Sequence, residues 1–205
     1  GANWNLGLLD ATCGGGSAAL FASWDWENDR SAWAACDRDG ALYRTANRGM
    51  NWDVVDVPGI GAMSLTAAPN GERVFLGTID GLYISENDGP LELAAFDDMQ
   101  IQSLAISPQW ADGDRTLYAI IANGGWYISE DGGDSWSALT NLPSENYALS
   151  VAVSPDFGTD GIVAVAGYDG AYLSHDRGKT WAWLNTLELH EETSPQVVLE
   201  GEWYQ

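Results

Sequence analysis

Short apolar runs of strand length recur along this chain, each cut off by a turn-forming pair. Ala62–Thr66, Val74–Thr78, Leu82–Ser85 and Leu91–Ala95 make one set of four, with Asp80-Gly81 between the second and third. The set returns as Gln102–Ser107, Thr116–Ile121, Trp126–Ser129 and Trp136–Leu139 around Asn123-Gly124. It returns again as Leu149–Ser154, Ile162–Ala166, Ala171–Ser174 and Trp181–Leu184 around Asp169-Gly170. Ahead of these, Ala18–Ser23, Ser31–Cys36 and Ala41–Arg44 follow the same order around Asp39-Gly40. Asp-Gly and Asn-Gly pairs tolerate the positive φ of a tight hairpin and mark antiparallel neighbours. Runs such as Val151-Ala152-Val153 and Val163-Ala164-Val165 lack polar alternation, which suits strands covered on both faces. No stretch shows helical periodicity of useful length, so the pattern predicts an all-β chain with four short strands per repeat.

An octapeptide, S-x-D-x-G-x-x-W, closes each set. It reads Ser174, Asp176, Gly178, Trp181 in the last copy and Ser129, Asp131, Gly133, Trp136 in the third. The first copy is Thr45, Asn47, Gly49, Trp52, and the second is Ser85, Asn87, Gly89 with Glu92 where Trp is expected. A hydroxyl and a carboxylate two residues apart can hydrogen-bond the backbone of their own turn, and Gly supplies a φ > 0 position. The Trp then starts the next strand with a large apolar face. Trp136 and Trp181 are expected to be buried, and Glu92 exposed. The four glycines are 40, 44 and 45 residues apart, a period that signals a solenoid, an array or a propeller.

The octapeptide resembles the Asp-box, or bacterial neuraminidase repeat. This repeat is found in β-propellers such as sialidases, sortilin-like receptors, xyloglucan-cleaving glycosidases and a photosystem II assembly factor. The resemblance covers nearly the whole chain. It implies a β-propeller of four-stranded antiparallel blades at approximately 17–57, 58–97, 98–141 and 146–186, with terminal strands of a fifth blade at 1–8 and 196–205. It also implies that box turns and first-to-second strand connections share one face, and that the active site of related enzymes lies on the other. Asp37, Arg38, Asp39, Asp80 and Asp169 therefore mark the expected binding face. Terminal strands without their middle partners expose unpaired N–H and C=O groups. The expectation is completion by a longer polypeptide or in trans by another copy, giving a homo-oligomer or filament.

Charge narrows the partners. Thirty acidic residues against eight basic ones give a net charge of −22, which disfavours nucleic acid and anionic lipid. No apolar run approaches the 18 or more residues of a membrane span, so no membrane insertion is expected. A sialidase would need three arginines converging on the substrate carboxylate. Arg30, Arg73 and Arg115 fall in first-to-second connections and Arg44, Arg48 and Arg177 in or beside boxes, which leaves Arg38 alone on the required face. A glycosidase needs two carboxylates across a cleft. Asp37, Asp39, Asp56, Asp80, Asp97, Asp98, Glu145, Asp169, Glu188 and Glu192 all qualify by position, but acids are common in such turns for backbone reasons. His175 and His190 lack a neighbouring nucleophile, so no catalytic residue is assigned.

No cofactor is expected. Calcium is the one ion that the oxygen-rich turns 25–29, 112–114 and 156–160 would suit, although none has EF-hand spacing. Cys13 and Cys36 form neither a C-x-x-C nor a zinc pattern. They would approach one face, where a disulfide competes with two buried thiols. Together these readings give a non-catalytic extracellular or cell-surface module that binds a protein, a glycan or copies of itself. The alternative is a fragment or subunit of a propeller glycosidase acting on a polysaccharide.

Overall fold

The computed structural model describes residues 17–23, 26–38, 40–68, 71–141, 148–168 and 170–184. Among these residues, sixteen strands fall into four antiparallel sheets, each in simple sequence order. The first holds β1 (Ser17–Ala22), β2 (Ala32–Cys36), β3 (Leu42–Thr45) and β4 (Asp53–Asp56). The second holds β5 (Ala62–Ala67), β6 (Arg73–Thr78), β7 (Gly81–Glu86) and β8 (Leu91–Ala95). The third holds β9 (Ile101–Ile106), β10 (Leu117–Ile121), β11 (Gly125–Ser129) and β12 (Ser137–Ala138). The fourth holds β13 (Ala148–Val153), β14 (Val163–Gly167), β15 (Gly170–Ser174) and β16 (Ala182–Leu184). The expected terminal strands at 1–8 and 196–205 lie outside the described residues, as do Cys13, Asp39, Glu145, Asp169, Glu188, His190 and Glu192.

The sheets stack like blades, with β1 against β5, β5 against β9 and β9 against β13. Each interface has its own core. Trp33, Ala35 and Leu42 of blade 1 meet Leu65, Val74 and Leu76 of blade 2. Phe75 and Leu82 of blade 2 meet Ile101, Ile106 and Leu117 of blade 3, and Tyr118 and Ile120 of blade 3 meet Val151, Val163 and Val165 of blade 4. Middle strands β2 and β10 are buried along their whole length, whereas the short outer strands β12 and β16 are exposed. Strand β10 has strands on both edges and blades 2 and 4 on its two faces, so only apolar residues fit there.

Among the described residues, three short helical turns were not legible from periodicity. α1 (Trp26–Asp29), a single 3₁₀ turn at Trp110–Asp112 and α2 (Phe157–Asp160) each link the first and second strands of a blade. The latter two end on Gly113 and Gly161 in the left-handed region, where a residue without Cβ is least strained.

The second box departs from the expected alignment. In the first, third and fourth copies the residue before the Ser or Thr pairs with the one after the Trp: Arg44 with Asp53, Ile128 with Ser137, and Leu173 with Ala182. In the second, Ile84 pairs with Glu92 and Ser85 with Leu91, so the turn is one residue shorter. Leu91 therefore holds the register position of the missing Trp, and it is buried in the core between blades 1 and 2. Glu92 is exposed, as expected, but it is not the Trp counterpart. The left-handed pair moves with the register. It is Arg48-Gly49, Gly132-Gly133 and Arg177-Gly178 in three turns, but Asn87-Asp88 in the second. Gly89 does not supply the positive φ there.

Candidate functional site

The box turns are closed hydrogen-bond circuits. The hydroxyl of Ser129 accepts the Gly133 N–H at 2.8 Å and donates to Asp131 Oδ1, which in turn accepts the Ser135 N–H at 2.9 Å. Ser174, Asp176, Gly178 and Thr180 repeat this arrangement with bonds of 2.8 Å. Thr45, Asn47, Gly49 and Asn51 repeat it with an amide in place of the carboxylate. In the shortened second turn the Ser85 hydroxyl instead donates to the Gly89 carbonyl. The Ser135 and Thr180 hydroxyls lead the causes that hold the Asp131 and Asp176 carboxyls down to about 2, with backbone N–H donors adding to the effect.

The box tryptophans are half-buried rather than buried. Trp136 and Trp181 fold back so that Nε1 donates to the carbonyl of their own box glycine, at 3.2 and 3.0 Å. Their rings then lean on the preceding blade's side of the turn. Trp136 meets Phe96 edge-on, and Trp181 meets Trp126. A side chain whose polar tip is tied to an exposed turn keeps one edge in water.

The aspartates considered for calcium close a second family of turns. Asp29 accepts from Ser23 Oγ and the Ser31 N–H; Asp160 accepts from Ser154 Oγ and the Ile162 N–H; Asp114 accepts from the N–H and hydroxyl of Thr116. Among the described residues no three His, Cys, Asp or Glu side chains are grouped as a metal would require. Cys36, buried at the end of β2, is disulfide-bonded.

Arginines on this same face clasp neighbouring blades. Arg44 of blade 1 pairs with Asp88 of blade 2. Arg73 of blade 2 reaches Asp134 at 2.9 Å and the Gly132 carbonyl at 2.7 Å in the third box, and Arg115 of blade 3 returns to Glu72 at 3.0 Å. Arg177 of the fourth box bonds Asp114 at 2.7 Å and lies over the Phe157 ring. Burial would raise the Asp114 carboxyl, but the Arg177 and Thr116 hydrogen bonds outweigh it and hold it below the usual range. These residues border an open cavity of about 560 Å³ between blades 3 and 4, lined by Gln109, Asp114, Thr116, Gly158, Thr159 and Arg177, among others. Its walls are latched. Gln109 donates to the Pro155 carbonyl and accepts the Gly158 N–H, so Gln109, like the Arg177–Asp114 pair, is already bonded across blades 3 and 4.

The opposite face differs. Asp37 and Arg38 are exposed in the β2–β3 turn, and Asp80 sits in the β6–β7 turn. Asp56 is occupied, accepting the Leu91 and Val57 N–H groups. Asp97 and Asp98 are exposed between β8 and β9. Burial raises the Tyr83 hydroxyl, and the negative charges of Asp80 and Asp97 raise it further. Sequence reasoning missed the apolar members of this face. Val57, Ile79, Met99 and Tyr168 are all exposed there, in connections leading to inner strands or in second-to-third turns. Their one signal was a bulky apolar residue set directly against a turn acid, as in Ile79-Asp80 and Asp98-Met99.

No protein-family model matches the chain, and neither does any curated protein. Solved structures do. An ancestral GH74 enzyme superposes with a TM-score of 0.65 and 22% identity, over 83% of this chain and 24% of that one. YCF48 bound to D1 peptide gives 0.64 and 22%, over 89% and 58%. A GH74 xyloglucanase from Xanthomonas campestris gives 0.58 and 17%, over 77% and 28%. The chain thus spans about a quarter of the length of these GH74 enzymes and under two thirds of YCF48. At such identities the likeness carries the fold alone, and the fold is that of β-propeller blades.

Proposed function

We propose that this chain is a non-catalytic binding module of Asp-box blades, secreted or cell-surface, whose partner is a protein. The observation that carries this reading is how the charged side chains are used. On the box face, Asp29, Asp114, Asp131, Asp160 and Asp176 close turns, and Arg44, Arg73, Arg115 and Arg177 bond neighbouring blades. Among the described residues, every carboxylate whose pKa is displaced moves downward, whereas a glycosidase acid needs one held up. A solved neighbour with a similar blade arrangement, YCF48, is described as bound to a peptide, which supports a protein partner. Asp-box turns in this reading are structural, and calcium has no role.

The GH74 neighbours favour a second reading, a part of a larger propeller glycosidase acting on a polysaccharide. Incubation with plant and bacterial polysaccharides, reading both retention and reducing-end release, separates the two. Binding of a protein or glycan without release supports the module. Release of sugar that is lost when exposed acids of the opposite face are neutralised supports the enzyme.

A further inference from the structure

We infer that the face opposite the box turns, across blades 1 to 3, docks a cationic peptide segment that also carries apolar side chains. This rests on the binding-module reading and names its partner's chemistry.

The surface is continuous. The β2–β3 turn is pressed against the connection at 57–61: a Cβ on Gly40 would lie 2.2 Å from the Ile60 carbonyl oxygen, and one on Gly61 2.6 Å from that of Asp37. The same connection accepts the Ile79 N–H through the Gly61 carbonyl, at 3.1 Å. Gly81 in turn abuts Leu93 and the Ala95 and Phe96 carbonyls, and the Ala122 N–H bonds the Gln100 carbonyl at 2.9 Å. Turns and connections therefore alternate without a gap from Asp37 to Gly124.

Two independent features of that strip point to one ligand class. The first is apolar: Val57, Ile79 and Met99 are 50%, 57% and 44% exposed, one in each successive connection or turn. The second is charge. Asp37, Asp80, Asp97 and Asp98 lie among them, and of the chain's eight basic residues only Arg38 is on this face. The other seven lie in the first-to-second connections, the box turns or the strands beside them. Segregation of charge between faces leaves an uncompensated negative field above an apolar strip, and lysine or arginine side chains with interspersed aliphatic ones would complement both.

The test uses the full chain and three short synthetic peptides: alternating lysine–leucine, lysine–serine and glutamate–leucine. Binding is read by fluorescence anisotropy at low and at physiological salt. The lysine–leucine peptide is expected to bind, and the other two to bind at least about tenfold more weakly. The Ile79→Ser, Met99→Ser double variant should weaken the lysine–leucine peptide about tenfold, and Asp97→Asn with Asp98→Asn should do the same while flattening its salt dependence. Asp112→Asn with Glu130→Gln, exposed acids of the other face, should leave binding unchanged. Matching near-ultraviolet circular dichroism shows that each variant is folded. No binding, equal binding of the lysine–serine peptide, or a loss confined to the Asp112 and Glu130 variant would overturn the proposal. That last result would leave the binding-module reading intact, whereas sugar release from a polysaccharide counts against that reading alone.

Discussion

Asp131 and Asp176 each accept three hydrogen bonds within their own turn, from the box Ser and from the N–H and hydroxyl of the residue four positions later: Ser135 for Asp131, Thr180 for Asp176. Their carboxyls sit at about 2 in the folded chain against an ordinary 3.8. A folded-state pKa below the unfolded one gives stability that is present above the unfolded value and lost as pH falls through the folded one. The window is therefore about pH 4 down to about 2. In acid titrations followed by circular dichroism, Asp131→Asn and Asp176→Asn should be less stable than the parent at neutral pH and lose less of their stability across that window. The shifted second box makes a separate prediction. Leu91→Ala should cost about 2–3 kcal/mol, because it empties a buried site. Glu92→Ala should stay within about 0.5 kcal/mol of the parent. Denaturant melts would show the reverse order if Glu92 were the true counterpart of the box Trp. Trp136→Ala and Trp181→Ala should cost about 2–3 kcal/mol, less than the 3–5 of a fully buried ring, since each keeps an edge in solvent.

Blades are tied by bonds that no local pattern announces. The box turns were legible because the hydroxyl, carboxylate and glycine that make each circuit lie within eight residues and recur at a fixed period. The one-residue contraction of the second turn was not, since Asn87 and Asp88 take the left-handed conformation that the pattern assigns to glycine. Nor were the arginine clasps. Arg44 and Asp88 are 44 residues apart and Arg177 and Asp114 are 63 apart, so only stacking of the sheets shows that they meet. Helical turns such as Phe157–Asp160 are too short to register as a period. Arg177→Gln removes charge-assisted bonds that span blades 3 and 4 and should cost about 1.5–3 kcal/mol by denaturant melt, with near-normal secondary structure. At the first blade, Cys36 is disulfide-bonded and Cys13 is the chain's one other cysteine. Peptide mapping of the non-reduced protein should recover a Cys13–Cys36 link, and Cys13→Ser with Cys36→Ser should lower stability by about 3 kcal/mol. Recovery of free Cys13 thiol would contradict the pairing.

Over the whole molecule, the stacking leaves the outward face of blade 4 without a neighbouring blade among the described residues. Ala152, Ala164, Leu173 and Ala182 stand opposite one another in register, as do Ala166, Ala171 and Leu184, and Ala152, Ala166, Ala182 and Leu184 are exposed. The corresponding face of blade 3, with Tyr118 and Ile120, is buried against blade 4. An apolar sheet face of this kind invites a further blade or a second copy. Light scattering of this 22.0 kDa chain should therefore give a mass above the monomer, and a stable monomer would contradict that expectation. The central claim is a division of labour between faces: the box face holds the blades together, and the opposite face binds. Residue-level hydrogen exchange, with and without saturating lysine–leucine peptide, tests it most directly. The account predicts slowed exchange at 57–61, 79–81 and 96–100, including the Ile79 and Met99 amides, and no change at the box amides of Gly133, Ser135, Gly178 and Thr180. Slowing centred on those box amides, with none in the connections, would contradict it.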